Sequence, residues 1–335
     1  SLIQAGAQIN IKNENEETAV LLATRYNPTL SILKTLYQAG AMFDYHVLEC
    51  AVRYSSNPEI VFMLLDSGFY IPHNLHSNNH TLLHMAALSN PHHEITKYLI
   101  DLGLDVNTYD GNKATPLYYA AGNNNLAVVS RLLKSGADVN MPGPHKWTPL
   151  ANAANSNPDP RVLSALIKAG ADVNAPNLIG RTPLHQVLTF NANLQKVSIL
   201  VENGADINRP DSNKNTPLHL FLTGQNSNKS EIFDYLIENG ADVNASNSYG
   251  TTLLHLAAYN KDAVEKLISS GAKVNCENKN QIQPIHLISG FQTDPKVISK
   301  IISLKADILA KDNDGWQPLC ANIDVASNEG GIYAL

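Results

Sequence analysis

No run of like charge appears anywhere in this sequence. Lys and Arg number 24 and Asp and Glu 30, a formal net charge of −6. Proteins that grip a phosphate backbone cluster their cations, and here that footprint is missing. Nucleic acid is therefore not expected as a partner. Long apolar runs are missing too. Nothing approaches the ~18 consecutive apolar residues of a membrane-spanning helix, so no membrane insertion is expected. Cysteine is scarce, and Cys50, Cys276 and Cys320 lie far apart. No CxxC pair or Cys/His spacing points to zinc. An odd, sparse count reads as free thiols in a reducing compartment, or as small buried hydrophobes. No signal peptide is visible. There is no GxxxxGK phosphate loop, no GxSxG elbow, no HExxH and no GxGxxG after a strand. No catalytic residue, no cofactor and no enzymatic activity is expected.

What the sequence does have is a folded protein's composition, 44% hydrophobic against 16% charged. Length alone suggests about two domains. Repetition overrides that. "SGADVN" at 135–140 returns as "AGADVN" at 169–174, "NGADIN" at 203–208, "NGADVN" at 239–244 and "SGAKVN" at 270–275. Gly6, Gly40, Gly68 and Gly103 continue the glycine series upstream. A second mark runs through Thr18, Thr81, Thr115, Thr148, Thr182, Thr216 and Thr252, with Gln283 and Gln317 in the same place. Glycine to mark is a step of 12 almost throughout, as in 103 to 115 or 240 to 252. Mark back to glycine is usually 21 or 22.

Each part has a physical reading. Thr-Pro-Leu starts a helix: Thr caps free amides, and Pro sits in the first turn, where no donor is needed. A second apolar helix follows, and glycine ends it in a left-handed turn. Asn27-Pro28, Asn57-Pro58, Asn90-Pro91, Asn157-Pro158 and Asp294-Pro295 read as caps that start the second helices. The 12-residue part is too short for a helix and rich in turn formers, so it is expected as an extended finger.

The "TPLH" run, the paired helices, the finger and the ~33-residue period together resemble the ankyrin repeat. The resemblance covers essentially the whole chain. It implies an all-α repeat solenoid of about ten stacked units, each a helix-turn-helix with a β-hairpin finger. A single solenoid over 1–335 is expected. It has a partial unit at 1–10 and full units at 11–43, 44–72, 73–107, 108–140, 141–174, 175–208, 209–244, 245–275 and 276–309. A truncated unit follows at 310–335. Residue 1 falls in a second helix by this register, so the sequence is expected to be a piece of a longer protein.

His84, His185, His219, His255 and His286 all stand three residues after the mark. The resemblance makes them structural, each tying the helix start to neighbouring backbone. Tyr118, Ala151 and Cys320 fill the same place elsewhere, so no chemistry depends on imidazole there. His76, His80 and His84 have helical spacing, but the register splits them between finger and helix, and no metal site is expected. The Asn of each "VN" is expected to satisfy finger backbone. In this family that Asn is a hydroxylation substrate, which makes Asn174 and Asn244 candidates.

Departures from the period are informative. Aligning Ala51 with Ala86 puts His46 at the mark, which shortens the preceding finger by six residues. The 252 to 271 step is short, and Lys305 stands where glycine is expected.

Ankyrin-type arrays bind proteins through finger tips and the concave face of the first helices. Carried over by position, the residue after the His is placed on that face: Met85, Tyr119, Asn152, Gln186, Leu220 and Leu256. On the fingers, Tyr109, Trp147, Arg181 and Tyr249 are expected as partner contacts. The resemblance thus implies a monomeric protein-interaction scaffold with a protein partner. The alternative is the substrate-recruiting arm of a larger enzyme. The irregular array also resembles effectors that intracellular bacteria deliver into host cells, which would place it in a host cytosol. A cytoplasmic location is expected otherwise.

Overall fold

Pro, Thr and Gly punctuate the chain as the period predicts. The computed structural model describes residues 2–26, 29–67, 78–123, 125–190, 192–224, 230–291 and 294–320. Gly68, His73, His76, Asn27-Pro28 and most of the loop at 223–230 lie outside them. Among the described residues all regular structure is helical. Packing divides the chain into two compact units, Ser1–Asp172 and Val173–Leu335.

The first unit contains α1 (Ala19–Tyr26), α2 (Leu30–Gln38), α3 (Tyr45–Tyr54), α4 (Pro58–Asp66) and α5 (Leu82–Ser89). It continues with α6 (His93–Asp101), α7 (Pro116–Gly122), α8 (Leu126–Lys134), α9 (Pro149–Ser156) and α10 (Pro160–Lys168). Odd-numbered helices pack on one another in sequence from α1 to α9, and even-numbered ones likewise from α2 to α10. The second unit holds α11 (Pro183–Phe190), α12 (Leu194–Glu202), α13 (Pro217–Thr223) and α14 (Ser230–Glu238). After these come α15 (Leu253–Leu256), α16 (Lys261–Ser269), α17 (Pro284–Phe291) and α18 (Pro295–Ser303). Its first helices stack from α11 to α17 and its second helices from α12 to α18. No pair of short helices could bury its apolar face alone, so the interior exists only through stacking. Leu184, Val187 and Leu188 in α11 are fully buried in this way, as is Phe221 in α13.

The marks are caps, as expected. Thr81, Thr115 and Thr148 each accept a hydrogen bond from the amide three residues on. At the other end Gly103, Gly136, Gly170 and Gly204 have φ near +90°. Lys305 keeps the same turn with φ +63°. The short 252 to 271 step appears as a four-residue α15 that tightens into a 3-10 turn at Ala257–Tyr259.

Three expectations need correction. The helix in the irregular second repeat is capped by Asp44, which accepts from the Val47 amide, so His46 lies inside α3 and not at its start. Only residues 41–43 then separate Gly40 from the cap, and the finger is absent rather than shortened. Second, Asn57-Pro58 and Asp294-Pro295 do start second helices, but Asn90 and Asn157 do not. These two are buried and reach back to the preceding repeat: Asn90 donates to the Val52 carbonyl at 2.8 Å and Asn157 to that of Ala121 at 2.8 Å. A buried amide that satisfies helix-end carbonyls outweighs the local cap. Third, the finger is a tight turn and not a strand pair. Bridges occur only singly among the described residues, at Lys12–Thr18 and Ser246–Thr252.

The "VN" asparagines satisfy finger backbone as expected, and the finger each clamps is that of the next repeat. Asn208 donates to the Gly240 carbonyl at 2.8 Å and accepts from the Asp242 amide at 2.8 Å. Asn107, Asn140, Asn174, Asn244 and Asn275 repeat the pattern one unit along. Replacing Asn208 by Ala should cost about 1–2 kcal/mol, since two solvent-edge hydrogen bonds are lost. Urea unfolding of the variant measures this; an unchanged midpoint would refute the clamp.

Candidate interaction surface

A finger is held by side chains, not by strand pairing. Five residues before the mark stands Asn or Asp: Asn13, Asp110, Asn177, Asp211, Asn247, Asn278 and Asp312. Its side-chain oxygen accepts from the amides two and four residues on. Asn247 takes those of Tyr249 at 2.9 Å and Thr251 at 3.1 Å. Its own amide donates to the Thr251 carbonyl at 3.0 Å, which closes the loop. Two residues before the mark the backbone turns left-handed, at Gly180, Gly250 and Gly315 but also at Lys113, Lys214 and Gln281. Both marks are visible in the sequence, as a period in Asn/Asp and in Gly/Lys/Gln.

The histidines lock each finger to the helix before it. In α11 the Thr182 amide donates to His185 Nδ1 at 3.1 Å. That leaves Nε2 as the protonated nitrogen, and it donates to the Asn215 carbonyl of the next finger at 3.2 Å. His84, His219, His255 and His286 repeat both contacts. Burial holds His185 and His219 down to about 4 and lowers His84 and His255 in the same direction. Both nitrogens are committed, which fits the structural role. The His80 ring stacks on His84 at 5.2 Å, and its Nε2 lies 3.7 Å from Asp110. Among the described residues no three His, Cys, Asp or Glu side chains converge as a metal site would require.

The expected contact residues now divide. Met85, Gln186 and Leu220 are buried and cannot meet a partner; this corrects their placement on the open face. Their helices are only about two turns long and pack against first helices of their own unit, which cover Met85, Gln186 and Leu220. Tyr119, Asn152 and Leu256 are half-buried. Tyr119 donates its hydroxyl to Asp110 at 2.7 Å, and Asn152 donates to the Tyr118 carbonyl at 2.8 Å. Their polar groups are spent on the scaffold. Trp147 and Arg181 are also half-buried, with Arg181 reaching Asp211 of the next finger at 3.3 Å. Tyr109 and Tyr249 are exposed, Tyr249 at 59%.

Leu178 and Ile179 share the second unit's finger edge with Tyr249, at 60% and 50% exposure, and Trp316 is exposed there as well. Lys279 lies 5.8 Å over the Tyr249 ring. A separate set was missed altogether. Tyr26 and Tyr54 in the first unit, and Phe190 and Tyr259 in the second, are exposed at the C-terminal ends of first helices. Their recurrence about eight residues after the mark was the available signal.

Asn174 and Asn244, the candidates for hydroxylation, are half-buried, and their amides are committed to the clamps at Gly204 and Gly271. Among the described residues no helix is long and apolar enough to cross a membrane.

Comparison with known proteins agrees with this geometry. The family model described as ankyrin repeats (3 copies) matches residues 48–143 and 191–278. The single ankyrin repeat model matches residues 145–178. No curated protein matches the chain. Repeats of this kind are in general protein-interaction modules. The chain belongs to the ankyrin repeat family.

Proposed function

We propose that the protein is a non-catalytic, monomeric binding module that recognises a protein partner through its finger edge. The carrying observation is a finger edge with exposed apolar side chains, Leu178 and Ile179 on one finger and Tyr249 two fingers on, held on turns that hydrogen bonds fix in advance. Isolated exposed apolar side chains are ordinary; apolar tips that return along one row of clamped turns are not. The mechanism is preorganisation. The fingers are ordered before binding, so association costs less conformational entropy. Aromatic anchors such as Tyr249 supply contact area with few rotatable bonds. The dispersed charge argues against a nucleic-acid partner. The free thiols of Cys50, Cys276 and Cys320 suit a reducing, cytoplasmic setting.

The test is affinity capture from cell lysate. The intact protein is compared with a triple variant, Leu178→Ser, Ile179→Ser and Tyr249→Ala. The triple variant should weaken binding of the captured partner by tenfold or more, roughly what loss of a hot spot costs. Its urea midpoint should not fall, because the three side chains are exposed. Equal capture of the same proteins would overturn the assignment to this edge.

A further inference from the structure

At five places among the described residues a finger is joined tip to tip to the one before it by a backbone hydrogen bond; at the Thr148 finger Pro144 stands in the donor position and has no N–H to give. The amide four residues before a mark donates to the carbonyl three residues before the previous mark. Ser212 donates to Ile179 at 3.0 Å, Ser248 to Asn213 at 2.8 Å, Lys279 to Tyr249 at 2.8 Å and Asn313 to Asn280 at 3.0 Å. In the first unit Gly111 donates to Asn78 at 2.6 Å. The first finger, ending at Thr18, has the same build. Asn13 closes its turn onto Glu17 at 3.0 Å, and Glu16 takes the left-handed position. Its tip carbonyl therefore belongs to Asn15. No described residue donates to it, because the second repeat has no finger: Gly40 to Asp44 is a step of 4 where Gly103 to Thr115 is 12.

The position that carries His in five later repeats is Leu21 here. That His donates to the following finger's backbone, and in this repeat there is no such backbone to receive it. What remains is a cavity of about 450 Å³ where the finger would lie. The first finger walls it with Lys12 and Asn15, α1 with Leu21 and Arg25, and α3 with Glu49 and Arg53. That volume is in the usual range for a ligand site, roughly 300–1,000 Å³. Most of its charges are paired: Lys12 with Glu16 at 2.8 Å, Arg25 with Glu17 at 2.6 Å and Arg53 with Glu49 at 3.1 Å, with the Asp44 carboxylate in addition. The cavity offers a carbonyl edge on one side and guanidinium donors on the other, which is the complement of a peptide main chain.

We infer that the vacant finger seat between α1 and α3 binds a turn or extended segment of a partner protein, which completes the row of fingers in trans. The segment places an amide against the Asn15 carbonyl and its own carbonyls toward Arg25 and Arg53. This rests on the reading of the protein as a protein-binding module, but it uses a different surface from the Leu178–Tyr249 edge.

The probe is a synthetic peptide copying residues 206–215, a regular finger of this protein, cyclised so that its turn is preformed. Its binding to the full chain is read by fluorescence anisotropy and by hydrogen exchange at residues 12–18 and 45–53. A finger-filled variant carries residues 208–215 inserted between Phe43 and Asp44, which restores the step of 12 and sets Asp211 five and Lys214 two residues before the cap. The intact protein should bind the probe and protect those residues. The filled variant should bind at least tenfold more weakly and should unfold at no lower urea concentration. Should the filled variant fail to fold, the paired substitutions Arg25→Ala and Arg53→Ala must weaken the probe instead. Equal binding by intact and altered proteins overturns the inference, as does no binding at about 1 mM probe. Concentration-dependent dimers in sedimentation, lost on filling, would give the seat to a second copy and refute the partner assignment. The triple variant at Leu178, Ile179 and Tyr249 should bind the probe normally, so a failure of the finger-edge reading is separable from a failure of this one.

Discussion

Acidification from pH 7 to pH 4 should destabilise the second unit by several kcal/mol before most of its carboxylates are protonated. His185 and His219 are fully buried, and burial lowers both to about 4, against an ordinary value of 6.5. The native state therefore keeps these rings neutral while the unfolded chain takes up protons. Stability from each ring is whole above pH 6.5, shrinks as pH falls, and is gone by about pH 4. A depression of that size is worth about 3 kcal/mol for each ring. His255 is shifted in the same direction. The geometry works in the same direction as burial. Nδ1 accepts from the cap amide, so a second ring proton would face a donor and lose that bond. Urea midpoints at pH 7, 5.5 and 4.5 should fall steadily. The variant His219→Tyr should flatten the slope, since Tyr fills the same position at Tyr118. A midpoint unchanged between pH 7 and 5, or a His219 resonance titrating near 6.5, would refute the account.

How much of this was legible beforehand depends on the range of the interaction. Helix starts and stops were readable because Thr-Pro-Leu and the terminal glycine act within one turn of chain. Where two local signals competed, the reading failed. Alignment on Ala51 chose His46, although Asp44 is itself a strong cap and wins in the structure. Bonds between repeats were less legible. The sequence shows that Asn208 recurs, but not that its amide spans 32 residues to Gly240. For the same reason half of each histidine's role was visible, the half facing its own cap. The candidate surface was read least well. Register gave Met85, Gln186 and Leu220 a face, but the stack closes over that face, and sequence spacing carries no account of what packs outside a short helix. At the fingers Tyr109 and Tyr249 are exposed, because a turn pinned at its base leaves its tip in water.

Those pinned turns lead to the second large effect, at Gly250. Its φ is +75°, and a β-carbon there would stand 3.0 Å from Asn278 Cα and 3.3 Å from the Glu277 carbonyl oxygen. Two costs follow for Gly250→Val. A β-branched residue in the left-handed region costs about 1–2 kcal/mol. The steric conflict is with backbone, which cannot swing aside as a side chain can, and adds about 1–3 kcal/mol. About 3 kcal/mol is expected in total. Lys214 and Gln281 hold the equivalent turn at φ +60° and +56°, so conformation alone does not demand glycine. The close approach of the next finger does. Valine should push the two fingers apart and break the bond from the Lys279 amide to the Tyr249 carbonyl. Faster hydrogen exchange at Lys279 would register that break, and urea unfolding the cost. Tyr249 should then lose its fixed position, and partner affinity should fall although no contact side chain has changed. Gly250→Asn should cost less, since Asn tolerates the left-handed turn and only the steric part remains. Unaltered protection of the Lys279 amide in Gly250→Val would mean that the finger row does not depend on that close approach, and that preorganisation of the edge must come from the Asn247 turn alone.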